Sequence, residues 1–173
     1  MHSARIDTAI VLAAAWCAGC GYRPVYGSEL PRMHVKLVRT FVPDAIASDE
    51  VASGVREELA RRGALEGGDG WPRIEVEVLR ADETSEGVAV LANRPVARAT
   101  AVTLVARAWV VASPDSSAQR NTGDLSADDT FAVDTNIATG ARDPRASLFH
   151  RSDALRAAAR RLGIEIARRI ASP

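Results

Sequence analysis

The stretch "RIEVEVLR", residues 73–80, alternates Ile74, Val76 and Val78 with Arg73, Glu75 and Glu77. A period of two places the aliphatic side chains on one face of a β-strand and the charges on the other, the pattern of a strand buried on a single side. The neighbouring segments have to supply what covers the aliphatic face.

Upstream, "MHVKLVRTF" (33–41) puts Met33, Val35, Leu37 and Phe41 on one face and His34, Lys36 and Thr40 on the other, a first strand stopped by Pro43. Ser48 then offers an N-cap, with Asp49 and Glu50 in the first turn and Val51, Val55 and Leu59 at helical spacing. The pattern predicts a helix over about 48–62, ended by Gly63. "EGGDGWP" (66–72) is the turn that leads into residues 73–80. Its glycines resemble a phosphate loop, but they follow a helix and precede a strand, the reverse of a helix N-terminal cradle.

Downstream, residues 81–97 contain Gly87 and Pro95 and read as a connection, long for a compact domain. Residues 98–112, "RATAVTLVARAWVVA", form a third strand, with Val102, Leu104, Ala106, Ala108 and Val110 on one face and Thr103, Val105, Arg107 and Trp109 on the other. "SPDSSAQRNTGD" (113–124) is a polar loop. Residues 127–135, with Asp129, Phe131, Val133 and Thr135 at alternate positions, give a fourth strand, and 136–147 is turn-like. Ser152 can cap a last helix whose face is Leu155, Ala159, Leu162, Ile166 and Ile170. Arg156, Arg160, Arg161, Arg168 and Arg169 stay in water, and Gly163 weakens the helix slightly.

The order is β-α-β-β-β-α. A helix between the first two strands implies a right-handed parallel crossover, and the later strands can join as hairpins. The expected fold is α+β: a two-layer sandwich with a four-stranded mixed sheet and both helices on one face, forming a single domain over 33–173. The uncovered face would carry His34, Lys36, Val38 and Thr40, then Arg73, Glu75 and Glu77, then Thr103, Val105, Arg107 and Trp109. Trp109 on that face is either an interface anchor or a ring covered by a long loop.

With 173 residues, 47% apolar and 25% charged, and a net charge of zero, the chain has room for one core and no electrostatic signature of a nucleic-acid binder. Its cations are nearly all arginine, Lys36 being the one lysine. Residues 1–7 carry the chain amine and Arg5, and residues 8–19, "TAIVLAAAWCAG", are apolar and end in small residues, the layout of an export signal. The run is short for a membrane-spanning helix. Cys17 and Cys20 form a C-x-x-C, yet they end a leader instead of joining a strand to a helix. Small residues before Cys20 resemble a bacterial lipobox, with Cys17 in place of the usual aliphatic residue: Cys17 would leave with a signal peptide of residues 1–19, and Cys20 would carry the lipid on a tether of residues 20–32. Two or three acyl chains hold a protein stably on a membrane where one does not. Gly21 after the cysteine favours the outer membrane, with the domain facing the periplasm.

Catalytic patterns are scarce. His2 lies in the leader, His34 and His150 stand apart, and no metalloprotease, nucleophile-elbow, Walker or dinucleotide motif occurs. Asp124, Asp128 and Asp129 lack the spacing of a calcium loop. Neither an enzyme nor a bound cofactor is expected.

The octapeptide "CGYRPVYG" (20–27) resembles the start of mature LPS-assembly lipoproteins, the LptE family, which commonly begin with Cys-Gly-aromatic followed by Arg-Pro-aliphatic-Tyr-Gly. The resemblance implies an outer-membrane lipoprotein that inserts into a large β-barrel, the D subunit of the lipopolysaccharide-transport machine, as plug and assembly factor. It also implies contact with lipopolysaccharide through basic residues. Cys20 is carried over as the lipidated residue, while Arg94, Arg98 and Arg107 are candidates for that contact by location only, beside Trp109 as a partner anchor. A periplasm-facing lipoprotein that pilots or scaffolds another envelope complex shares the anchor and stands as the alternative.

Overall fold

A computed structural model describes residues 30–91, 94–134 and 144–172, without side chains at 85–91, 94–98, 133–134 and 144–145. The leader, Cys20 and most of the tether lie outside the described residues.

Strand β1 (His34–Thr40) is followed by helix α1 (Ala45–Arg61), strands β2 (Arg73–Leu91) and β3 (Arg94–Val111), the two-residue β4 (Arg120–Asn121), β5 (Leu125–Asp134) and helix α2 (Pro144–Ala171). β1 pairs parallel to β2, β2 antiparallel to β3, and β4 and β5 both pair with β3. Because β4 and β5 lie end to end along one edge of β3, the sheet is four strands wide although five strands build it. The two-layer sandwich expected from the sequence is the fold observed.

The aliphatic positions of "RIEVEVLR" face the helices: Ile74, Val76 and Val78 are fully buried, with Leu104, Ala106 and Ala108 beside them on β3. Val51, Val55 and Leu59 of α1 and Leu155, Ala159, Leu162 and Ile166 of α2 complete one core. Removing this aliphatic area from water is the main force holding the two layers together. Gly63, at a φ of 69°, ends α1 as expected, its N–H donating to the Ala60 carbonyl.

The two helices touch through glycines. A methyl group on Gly163 would collide with the Val51 carbonyl oxygen, and one on Gly54 with the Arg160 carbonyl oxygen. The glycine that weakens α2 as an isolated helix is therefore what lets its backbone come against α1.

Several local expectations are corrected. Asp44, not Ser48, caps α1, its carboxylate accepting from the N–H groups of Ile46 (3.0 Å) and Ala47 (3.4 Å). Ser48 is buried one turn in, bonded to the Thr40 hydroxyl at 2.7 Å. Thr40 thus lies on the helix side and not on the open face. The register shifts between Leu37 and Arg39, so Val38 is an extra residue that reverses the facing of the rest of the strand. Phe41, expected inside, is 60% exposed with the Arg39 guanidinium above its ring.

Residues 81–91 and 94–97, expected to be a connection, are strand. β2 and β3 continue pairing through Leu91 and Arg94, with register shifts at Val78/Arg80, Ser85/Gly87 and Ala89/Val90 that absorb the irregular sequence. Within 113–124, Arg120 and Asn121 pair with Val110 and Trp109. Thr122 then breaks the lane: the Ala108 N–H donates to its hydroxyl (3.0 Å) and its own N–H donates to the Ala108 carbonyl (2.9 Å). α2 starts at Pro144, within the stretch expected to be a turn, and Ser152 lies inside it instead of capping it. A proline in the first turn gives up no helical hydrogen bond.

Gly163→Ala tests the helix crossing, because propensity and packing predict opposite signs. Propensity alone would stabilise by about 1 kcal/mol. Overpacking predicts a net loss of about 1–3 kcal/mol, measurable by urea unfolding, with Gly54→Ala behaving alike.

Candidate functional site

The uncovered face of the sheet is built from rungs of charged and aromatic residues. Arg39 of β1, Glu77 of β2 and Arg107 of β3 are in register across three strands. Arg107 Nε donates to Glu77 Oε2 at 2.7 Å, Arg39 lies 3.8 Å from Oε1, and Glu77 is only 3% exposed. The next rung is Lys36, Glu75 and Trp109. Glu75 accepts from the Trp109 indole N–H at 2.9 Å and from Arg73, whose guanidinium in turn stacks 3.7 Å from the Trp71 ring centroid. Farther along, Arg80 pairs with Asp82 at 3.1 Å. Opposite charges on facing strands stabilise each other. A face of this kind stays ordered without a third layer.

The rungs give two of the sequence candidates partners within the sheet. Arg107 is committed to Glu77, although its side chain remains 44% exposed. Trp109 is half-buried and its one polar group is satisfied by Glu75, so it forms part of the face. Arg94 pairs with Leu91 next to the hairpin turn and Arg98 with Val88, and their side chains lie outside the described part of the molecule. At about 3.4 Å per residue, Arg94 is on the order of 50 Å along the strand from Trp109. The four candidates therefore form a line along β3 and not a cluster.

The long axis has distinct ends. Leu30 and Pro31 share a cleft of about 330 Å³ with Val110, Gln119, Arg120 and Ile170, so the chain enters beside the start of β1 and the end of β3. The β2–β3 hairpin leaves at the other end. Leu148 and Phe149, on the first turns of α2, are 64% and 71% exposed, and Arg151 just after them bonds Glu83 and lies 3.9 Å from Asp44.

Sequence reasoning missed Glu58. In "REELARR" (56–62) it lies three and four residues before Arg61 and Arg62, a spacing that brings such side chains together on a helix. Glu58 is 3% exposed and accepts from Arg61 (2.6 and 2.8 Å) and Arg62 (2.9 Å), with Arg168 of α2 at 3.6 Å. Hydrogen bonding from Arg61 is the largest influence and Arg62 adds to it; against the opposing effect of burial they bring the carboxyl pKa down from 4.5 to about 2.

His34 and Asp129 are held in structural contacts, and His150 lines a groove with Asp153 between β5 and α2. The ring of His34 packs on Gly70, with Nδ1 3.0 Å from the Gly68 carbonyl oxygen, which makes "GGDG" a folded turn. Asp129 pairs with Arg161 at 2.9 Å. Among the described residues, no group of three or more His, Cys, Asp or Glu side chains is placed to hold a metal ion, and no helix is long and apolar enough to cross a membrane.

No family model matches the chain, and no curated protein matches it. Among solved structures, its fold is similar to that of a minor lipoprotein from Acinetobacter baumannii, with 13% identity, a TM-score of 0.51, and coverage of 82% of this chain and 92% of that one. The rare lipoprotein B from Shewanella oneidensis aligns at 12% identity over 76% of this chain and 89% of its own, with a TM-score of 0.36. At 13% identity the first likeness establishes a shared fold.

The Glu58 cluster predicts a defined acid sensitivity. A carboxyl whose folded pKa is lowered adds stability that is complete above the unfolded value near 4.5 and is lost as pH falls from there towards 2. The loss is on the order of 3 kcal/mol. Unfolding curves between pH 6 and 2 should show Glu58→Gln less stable at pH 6 and with a flatter pH dependence than the wild type.

Proposed function

We propose that the chain is an outer-membrane lipoprotein, lipidated at Cys20, that assembles with and plugs the β-barrel of the lipopolysaccharide-transport system and so aids delivery of lipopolysaccharide to the outer leaflet. The observation that carries this reading is the octapeptide at residues 20–27, joined to a domain whose fold is similar to that of a bacterial lipoprotein.

The domain's geometry supports the same reading. Barrel interiors are polar, and an ion-paired open face can lie against such a wall without burying unpartnered charge. The tether enters at one end of the sheet and the hairpin extends from the other, which suits a domain held at a membrane by one end and reaching into a partner with the opposite one. Arg94 and Arg98 belong to the hairpin end of β3, and the reading gives them the phosphate groups of lipopolysaccharide, a chemistry that arginine serves through paired hydrogen bonds. The reading assigns the chain no catalytic step and no cofactor.

Gentle detergent solubilisation followed by affinity purification of the tagged full-length protein should bring down a large β-barrel. Recovery of the lipoprotein alone, or with a secretion ring or peptidoglycan-bound partners in place of a barrel, would refute the plug. Metabolic labelling with palmitate tests the anchor separately: the wild type should incorporate label, Cys20→Ala should not, and label retained by the variant would remove Cys20 from the account.

A further inference from the structure

Among the described residues β5 forms an outer edge of the sheet, and a strand edge is a template on which another chain can add a strand. The hydrogen-bonding direction of its residues can be worked out. Ala108 uses both its N–H and its C=O towards Thr122, so the even-numbered residues of β3 bond towards the β4–β5 side. The β3–β5 register runs without a shift and pairs Leu104 with Ala127, Val102 with Asp129 and Thr100 with Phe131. Residues 127, 129 and 131 of β5 therefore bond to β3, and the backbone groups of Asp128, Thr130 and Ala132 point out from the edge.

Two of those outward groups are already taken. Asp129, on the helix side of the sheet, accepts the Thr130 N–H on Oδ1 at 2.9 Å, and its Oδ2 pairs with Arg161 of α2 at 2.9 Å. The same arginine donates through Nη2 to the Asp128 carbonyl at 2.8 Å. One side-chain pair, bridging helix and strand, thus occupies a consecutive donor and acceptor of the edge. Beside it runs a groove of about 450 Å³ between β5 and α2, where Phe131, Ala132, Ala154 and Ala157 alternate with the polar Thr130, His150 and Asp153. Without the pair, an added strand would find the Thr130 N–H and the Asp128 carbonyl free, beside a groove wide enough to take its side chains.

We infer that Arg161 and Asp129 form a lock that closes the β5 edge to strand addition, above all by a second copy of this chain. An incoming strand would need the Thr130 N–H and the Asp128 carbonyl, and it obtains them only by breaking a charge-assisted contact to each. The lock does not depend on whether Cys20 is lipidated or on which partner the domain meets.

The test is made on the full-length chain in detergent by sedimentation velocity and by amide hydrogen exchange. Asp129→Ala should self-associate at concentrations where the wild type is monomeric, and its Thr130 amide should exchange roughly fivefold faster when dilute, the loss expected for one hydrogen bond. Adding Thr130→Pro, which removes the outward N–H and places a ring on the edge, should restore the monomer. If Asp129→Ala does not fold, Arg161→Ala is read by the same two measurements and should change in the same direction. A folded variant that stays monomeric with wild-type exchange at Thr130 overturns the inference, as does association that survives Thr130→Pro.

Discussion

The backbone contact between α1 and α2 at Gly54 and Gly163 sets the geometry on which the rest depends. Both helices must lie on the same side of a four-strand-wide sheet, and each must reach the aliphatic row formed by Ile74, Val76, Val78, Leu104, Ala106 and Ala108. Side chains at the crossing would force the helices apart and open the core between them, where each lost contact costs packing energy. With glycine on both sides, Val51 and Val55 of α1 and Leu162 and Ile166 of α2 close over one continuous core. The helix layer is then compact enough for Arg168 to approach Glu58 across it.

Charge is used differently on the two sides of the sheet. In the helix layer, carboxylates tie elements together: Glu58 links successive turns of α1 and lies near α2, and Asp129 links β5 to α2. On the open face, Glu75 and Glu77 are each held by cationic or N–H donors within the sheet, so the face is ordered before any partner arrives. A preorganised polar surface loses little conformational freedom on docking, which suits the proposed role inside a barrel.

The face assignment of β2 and β3 was legible in the sequence because the period of two is unbroken through residues 73–78 and 102–110. The core stripes of both helices were legible for the same kind of reason. What was hidden turned on single residues. One bulge at Val38 turns Thr40 to the helix side and Arg39 to the open face, and no local composition marks it. Gly87 and Pro95 read as chain breakers, yet a hairpin with register shifts accommodates both, and a proline beside the turn loses little in the ladder. Asp44 and Ser48 are both competent caps; Thr40 settles the choice by taking the Ser48 hydroxyl into the interior. Among the candidate site residues, Arg107 and Trp109 were correctly placed on the open face. Their partners Glu77 and Glu75 become visible only when the strands are set in register.

In the proposed complex, the open face and the hairpin end of this domain lie against the inner wall of an outer-membrane barrel. Photocrosslinking in cells measures this directly, with a photoreactive amino acid placed in turn at Lys36, at Thr103 and at Leu148. The account predicts that Lys36 and Thr103 on the open face and Leu148 at the hairpin end each crosslink to one large heat-modifiable β-barrel protein. Crosslinks absent from all three positions, or made only to soluble periplasmic proteins, would contradict it.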